Sequence, residues 1–206
     1  MGMKHVLAIA LTLAVFMAGD REAGAETKIV LGKDGDSVRP TYRIDVDPRW
    51  TKSIFAAADA LKKICGNPDC GITRIVKVLP YGEEMSHHCP TSGAFSDRFY
   101  CLAMGATAAQ LVELAGLGNA RSFIADSRQD GNDLPKAAVA ALVNAIKAVC
   151  TEDSAPKGCI VAEAKRRLGS SETSLSDCSG YEDWETMSCL FIGRMSELLD
   201  KASAGI

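Results

Sequence analysis

The chain has 206 residues, of which 47% are hydrophobic and 24% are charged, and its formal net charge is −3. This length allows one large domain or two small ones. The charge excludes a strongly basic protein, and the densest basic run, residues 165–167, is typical of a solvated helix face rather than of a nucleic-acid footprint. We therefore expect no nucleic-acid partner.

The first 25 residues have the order of parts that is typical of a secretory signal peptide. Lys4 precedes an uncharged apolar run at 6–18, and small residues at 23–25 offer a cleavage site before Glu26. The run is shorter than the roughly 20 residues that a membrane-spanning helix needs. We predict that residues 1–25 are cleaved and that the mature chain is soluble, without a stable membrane anchor; an uncleaved anchor is the alternative. Localisation would be periplasmic or secreted, and the absence of an N-x-S/T sequon favours a bacterial periplasm.

Residues 26–47 differ in pattern from the rest of the chain. Residues 28–31 and 42–46 are rich in β-branched and aromatic side chains, and residues 32–36 between them have the composition of a turn. The segment predicts a short N-terminal β arm or hairpin that lies against a helical body.

Apolar residues then recur at spacings of three and four through residues 48–118, which predicts three amphipathic helices, A, B and C. Asp47 and Pro48 provide a cap and a favourable first residue for helix A, and residues 83–96 are interpreted as a loop carrying Cys89. The predicted buried faces are Trp50, Ile54, Ala57, Leu61 and Ile64 in helix A, Ile72, Ile75 and Leu79 in helix B, and Cys101, Met104, Ala108, Leu111 and Ala115 in helix C. Phe55 is expected to join Trp50 in the core.

The same plan returns in residues 133–206, after a connector at 119–132. A shift of 85 positions aligns the two helices A, 89 the two helices B and 88 the two helices C, and the shift changes only at loops. The second set of apolar faces is Val139, Leu142, Ile146 and Val149, then Val161, Ala164 and Leu168, then Cys189, Ile192, Met195 and Leu199. We therefore predict two tandem copies of one module, at 48–118 and 133–206.

Each predicted module contains four cysteines, with the spacings C-x4-C-x18-C-x11-C and C-x8-C-x18-C-x10-C. A zinc site would not tolerate a first gap that changes from four to eight residues, and the redox motif C-x-x-C is absent. Structural disulfides require only that the Cα atoms end close together. The cysteines are Cys65, Cys70, Cys89, Cys101, Cys150, Cys159, Cys178 and Cys189. Three pairings per module remain open.

The chain carries no assembled catalytic motif. The only candidates for a metal site are His87, His88 and Glu84, and Cys89 beside the histidines could form a nucleophile pair with one of them. Because Cys89 aligns with Cys178, a half-cystine is the simpler interpretation, and adjacent histidines in a loop are commonly polar surface. Phosphate-binding and zinc-peptidase motifs are absent. We expect no catalytic residues and no cofactor.

Tyr181 and Trp184 lie in an acidic segment before the second helix C. Tyrosine and tryptophan dominate protein-binding hot spots, so this segment is a candidate partner-binding surface. The alternative is that Trp184 covers the core of its own module.

These observations predict a mainly α protein of two tandem, disulfide-stapled three-helix modules with a short N-terminal β arm. Thin cores of about 70 residues per copy suggest that the modules pack as one body. The leading hypothesis is an exported, non-catalytic binding protein that acts on another protein as an inhibitor, immunity-type protein, adaptor or chaperone. The alternatives are an exported enzyme or metal binder that uses residues 83–89, and a carrier of a small apolar ligand between the helices.

Overall fold

A computed structural model of the chain describes residues 28–30, 40–43, 47–126, 133–150, 158–169, 177–179 and 182–206. These residues are mainly helical, which confirms the predicted mainly α class, and no helix among them is long and apolar enough to cross a membrane. The helices are α1 (Pro48–Ile64), α2 (Pro68–Val78), α3 (Gly82–Ser86), α4 (Phe95–Leu114), α5 (Ala120–Asp126), α6 (Leu134–Lys147), α7 (Cys159–Leu168) and α8 (Asp183–Ser203).

Two short segments before the helices form an antiparallel pair, β1 (Lys28–Val30) and β2 (Pro40–Arg43). Ile29 lies opposite Tyr42 in this pair. Residues 31–39 and 44–46 lie outside the described part of the chain. The β arm as a unit therefore stays a prediction, and the signal peptide at 1–25 also lies outside the described residues.

The start of α1 follows from its cap. The Asp47 carboxylate accepts hydrogen bonds from the backbone N–H of Arg49 at 2.8 Å and of Trp50 at 3.3 Å. Pro48 occupies the first helical position, where its missing N–H leaves no partner unsatisfied. The predicted start of helix A is confirmed.

The long helices α4 and α8 form the centre of the fold. Residues 101–109 of α4 and 186–193 of α8 are buried without a break, as expected of helices that have neighbours on every side. The predicted stripes on these helices are buried, but so are the residues between them. Small side chains such as Ala103 and Ala106 let neighbouring helices approach from several directions.

The other helices pack around this central pair, and the first helix of each half contacts the long helix of the other half. Helix α1 packs mainly against α8, and α6 packs against α4. Helices α2 and α3 lie against α4, while α7 lies against α8. Helix A of each predicted module therefore contacts helix C of the other one, and the buried residues form one core.

The eight cysteines form four disulfides, which confirms the prediction of structural bridges. In each half of the chain the first cysteine is bonded to the second and the third to the fourth, with Cα–Cα distances of 5.5, 5.7, 5.9 and 5.7 Å in chain order. The bridges are Cys65–Cys70, Cys89–Cys101, Cys150–Cys159 and Cys178–Cys189. All four are local, because the bonded positions are 5, 12, 9 and 11 residues apart.

Three side chains that we expected in the core are exposed. The exposed fractions are 46% for Phe55, 51% for Ile64 and 57% for Val149. Phe55 follows Ile54 by one residue and so points away from the buried face of α1. Ile64 is the last residue of α1 and Val149 lies two residues after the end of α6, so both stand where the helical face ends, one residue before a cysteine. These burial predictions were wrong.

Two segments that we interpreted as irregular contain short helices. Helix α3 lies within the predicted loop 83–96, and α4 begins near the end of that loop, at Phe95. Helix α5 lies within the connector 119–132, where Ile124 is buried and Phe123 packs against the core. These short helices carry buried residues, so packing stabilises them beyond their local preference.

Candidate functional site

The His87–His88 pair lies at the end of α3. The helix starts after Tyr81, whose backbone adopts the left-handed conformation with φ of 61°, and His87 forms its C-terminal cap. His87 is exposed and His88 is half-buried. The Tyr81 hydroxyl donates to the carboxylate of Glu113 on α4, which ties this turn to the centre of the fold.

The partners of these residues limit what the pair can do chemically. The Glu84 carboxylate accepts from Arg121 Nε at 2.8 Å, so its charge is already balanced by an ion pair. Cys89 is bonded to Cys101, so a Cys–His pair would have no thiol to use. Among the residues that the structure describes, no group of three or more His, Cys, Asp and Glu side chains could hold a metal ion.

Trp184 lies in the first turn of α8, not in the loop where we placed it. It is half-buried and packs against the core, and Lys147 Nζ at the end of α6 stands 5.9 Å from the centre of its ring. This is within the range of a cation–π contact. Glu182 and Asp183 beside it are exposed. Tyr181 lies outside the described residues, so its part in this surface stays a prediction.

A cluster that the sequence did not reveal joins the start of α1 to α8. The Arg49 guanidinium forms an ion pair with Asp47 at 2.8 Å and donates to the carbonyl oxygen of Cys189 at 2.9 Å. Arg49 also lies 3.5 Å from Cys178 Sγ and 3.1 Å from Cys189 Sγ. The Asp47 side chain is fully buried. No local signal could have found this cluster, because Arg49 and Cys189 are 140 positions apart.

A second feature is a pair of matching surface positions. Lys62 and Ile64 at the end of α1 align with Lys147 and Val149 at the end of α6 under the shift of 85. All four side chains are exposed, and a disulfide-bonded cysteine follows each aliphatic residue directly. We call these positions the paired surface positions. Each offers an apolar group with a cation two residues before it.

The chain was compared with protein-family models, with curated proteins and with solved structures, and none matches.

Proposed function

We propose that this chain is an exported, disulfide-stabilised binding protein that acts on another protein in the periplasm or outside the cell. Inhibitor, immunity-type, adaptor and chaperone roles all fit this description. Four disulfides are consistent with an oxidising compartment, because such bridges persist there and are rare in the cytosol.

The proposal includes the internal duplication. The like pairing of cysteines in the two halves, and the matching contacts of α1 with α8 and of α6 with α4, support two copies of one module. A duplicated module presents equivalent surfaces twice, and this can double the number of contacts that a partner makes with one rigid body.

The observation that carries the proposal is the exposure of Ile64 and Val149. An exposed aliphatic side chain is common in isolation, but these two occupy equivalent positions, each two residues after a lysine and directly before a disulfide-bonded cysteine. The bonded cysteine that follows each position restricts the local backbone, which would lower the conformational entropy lost on binding. The complementary partner has an apolar pocket with an acidic rim.

Site-specific photo-crosslinking in the cell that produces the protein tests this function. A photoreactive residue is introduced at position 64, at 149, or at Leu114 as a control. Leu114 is 53% exposed and therefore similar in exposure, but it lies outside the paired surface positions. We expect one and the same protein to be joined to positions 64 and 149, with acidic residues near the crosslinked site, and not to position 114.

Charge reversal gives an independent check. Lys62→Glu and Lys147→Glu together should abolish both crosslinks, because the replaced cations would face an acidic rim. Crosslinks that form equally at 114, or different proteins at 64 and 149, would contradict the proposal.

A further inference from the structure

The disulfide Cys178–Cys189 has a cation held against it. Arg49 Nη1 lies 3.5 Å from Cys178 Sγ and Arg49 Nη2 lies 3.1 Å from Cys189 Sγ. The guanidinium is fixed on its other side by Asp47, with Nη2 2.8 Å from Oδ2 and Nε 3.2 Å from Oδ1. The guanidinium is therefore held in place by the cap residue of α1.

Space for this contact comes from a glycine. A Cβ placed on Gly193, one helical turn after Cys189, would stand 2.6 Å from Arg49 Nη1. Any larger residue at position 193 would displace the guanidinium. The packing of α1 on α8 thus brings the cation and the sulfur atoms together.

The equivalent bridge in the first half of the chain has a different environment. Cys101 Sγ of the Cys89–Cys101 disulfide lies 3.9 Å from the carbonyl oxygen of His88, which carries a partial negative charge. Under the shift of 85, Arg49 aligns with Leu134, which is a buried apolar residue. The position that corresponds to Arg49 therefore carries no charge. The two bridges have the same place in the fold and can serve as each other's control.

We propose that Arg49 makes Cys178–Cys189 a redox-sensitive bridge that a dithiol opens more readily than Cys89–Cys101. Asp47 balances part of the charge of Arg49, but the guanidinium hydrogens that point at the sulfur atoms still favour the thiolate that reduction produces, and a better leaving thiolate also exchanges faster. The bridge links Cys178 to Cys189 in α8, and Trp184 lies between these two cysteines in sequence. Opening the bridge would remove the covalent constraint on the backbone around Trp184. This last consequence rests on the proposed function, whereas the redox property does not.

Reduction of the bridge takes two thiol–disulfide exchange steps. A thiolate of the dithiol attacks Cys178 Sγ, the S–S bond breaks, and Cys189 leaves as a thiolate paired with Arg49. The second thiolate of the reductant then attacks its own bound sulfur, closes the reductant's disulfide and releases Cys178. Of the two protons that the dithiol loses, one goes to Cys178 and the other to solvent. The bridge gains two electrons and the dithiol is oxidised.

Both cysteines are buried, so the rate of attack depends on local opening, and the test is made at equilibrium. The full-length oxidised protein is incubated in mixtures of reduced and oxidised dithiothreitol, free thiols are alkylated, and each bridge is quantified by peptide mass spectrometry. We expect Cys178–Cys189 to be half-reduced at a ratio of reduced to oxidised reagent about fivefold lower than Cys89–Cys101. Equal ratios, or easier reduction of Cys89–Cys101, would overturn the proposal.

Variants separate the effect of charge from that of stability. Asp47→Asn with Arg49→Met removes both charges and leaves no unpaired buried carboxylate, while Asn still caps α1. It should make Cys178–Cys189 harder to reduce and leave Cys89–Cys101 unchanged, whereas simple destabilisation would make bridges easier to reduce. Arg49→Lys keeps a cation and should retain most of the difference. No partner protein enters this assay, so its outcome is independent of the crosslinking test.

Discussion

Gly193 lies directly against the guanidinium of Arg49, with a would-be Cβ only 2.6 Å from Nη1. Because Gly193 on α8 has no side chain, Arg49 on α1 has room to contact α8 at this point. Substitution of Gly193, alone and together with replacement of Arg49, therefore measures how much the Arg49 contacts contribute to stability.

Gly193→Ala should destabilise the protein by about 1 kcal/mol. Alanine favours the helix by about 1 kcal/mol, but the displaced Arg49 would lose its charged hydrogen bond to Cys189 O, which contributes about 1.5–3 kcal/mol. In the background of Asp47→Asn with Arg49→Met, which leaves no unpaired buried carboxylate, the same substitution should stabilise the protein by up to about 1 kcal/mol. Urea unfolding of the four proteins measures this coupling, and an effect of Gly193→Ala that is equal in both backgrounds would show that the contact is unimportant.

Gly82→Ala should cost more than about 3 kcal/mol. A Cβ at this position would stand 2.1 Å from the backbone carbonyl oxygen of Val76, and backbone cannot move aside as a side-chain end can. Gly66→Ala is the matched control, because nothing lies within 4 Å of its Cβ and it should change stability by less than about 0.5 kcal/mol. Denaturant midpoints compare the two variants, and similar midpoints would mean that the turn after α2 is not packed as described.

Ile64→Ser should change the free energy of unfolding by less than about 0.5 kcal/mol, because the side chain is already half in water. Leu61→Ala, one helical turn earlier on α1, should cost about 2–5 kcal/mol, because Leu61 is buried. The corresponding pair in the second half is Val149→Ser, just after α6, and Ile146→Ala within it. Thermal and urea unfolding test both pairs, and a large loss for Ile64→Ser would place that residue in the core.

Glu163 should contribute stability that depends on pH. Hydrogen bonds from Arg166 at 2.6 Å and Arg167 at 2.8 Å lower the pKa of this carboxyl from 4.5 to about 2, against the opposing effect of burial. The ionised form is therefore favoured in the folded state, so its contribution is present above pH 4.5 and is lost as the pH falls towards 2.

We expect Glu163→Gln to cost about 1 kcal/mol at pH 7, since solvent around the exposed Arg166 weakens the pair. The difference from wild type should shrink between pH 4.5 and pH 2. Unfolding at pH 7, 4 and 2 measures it, with Glu83→Gln at an exposed carboxylate as the control. A constant difference across this range would assign the effect to packing instead.

Helical periodicity predicted much of this fold because it reports local geometry. It located α1 and α6 and identified Leu61 and Ile146 as core residues. It was wrong in placing Ile64 and Val149 on the buried faces, because periodicity does not show where a helix and its neighbours end. Cysteine spacing predicted bridges but not their pairing, since several pairings satisfy the same distances.

The sequence carried no signal for the Arg49 cluster. A cap at Asp47 was predictable from two adjacent residues, whereas the role of Arg49 depends on Cys178, Cys189 and Gly193, which only tertiary packing brings near it. The paired surface positions were visible as a repeat, but their exposure was not, because the same pattern also describes a buried stripe.

The packing of α1 against α8 and of α6 against α4 has a consequence for the order of folding. Among the helices that the structure describes, α1 comes first in the chain and its main neighbour α8 comes last, so the main contacts of α1 can form only after residues 183–203 have been made. Contacts between distant positions form slowly, whereas each disulfide joins cysteines at most 12 positions apart. We therefore expect the bridges to close before α1 packs against α8.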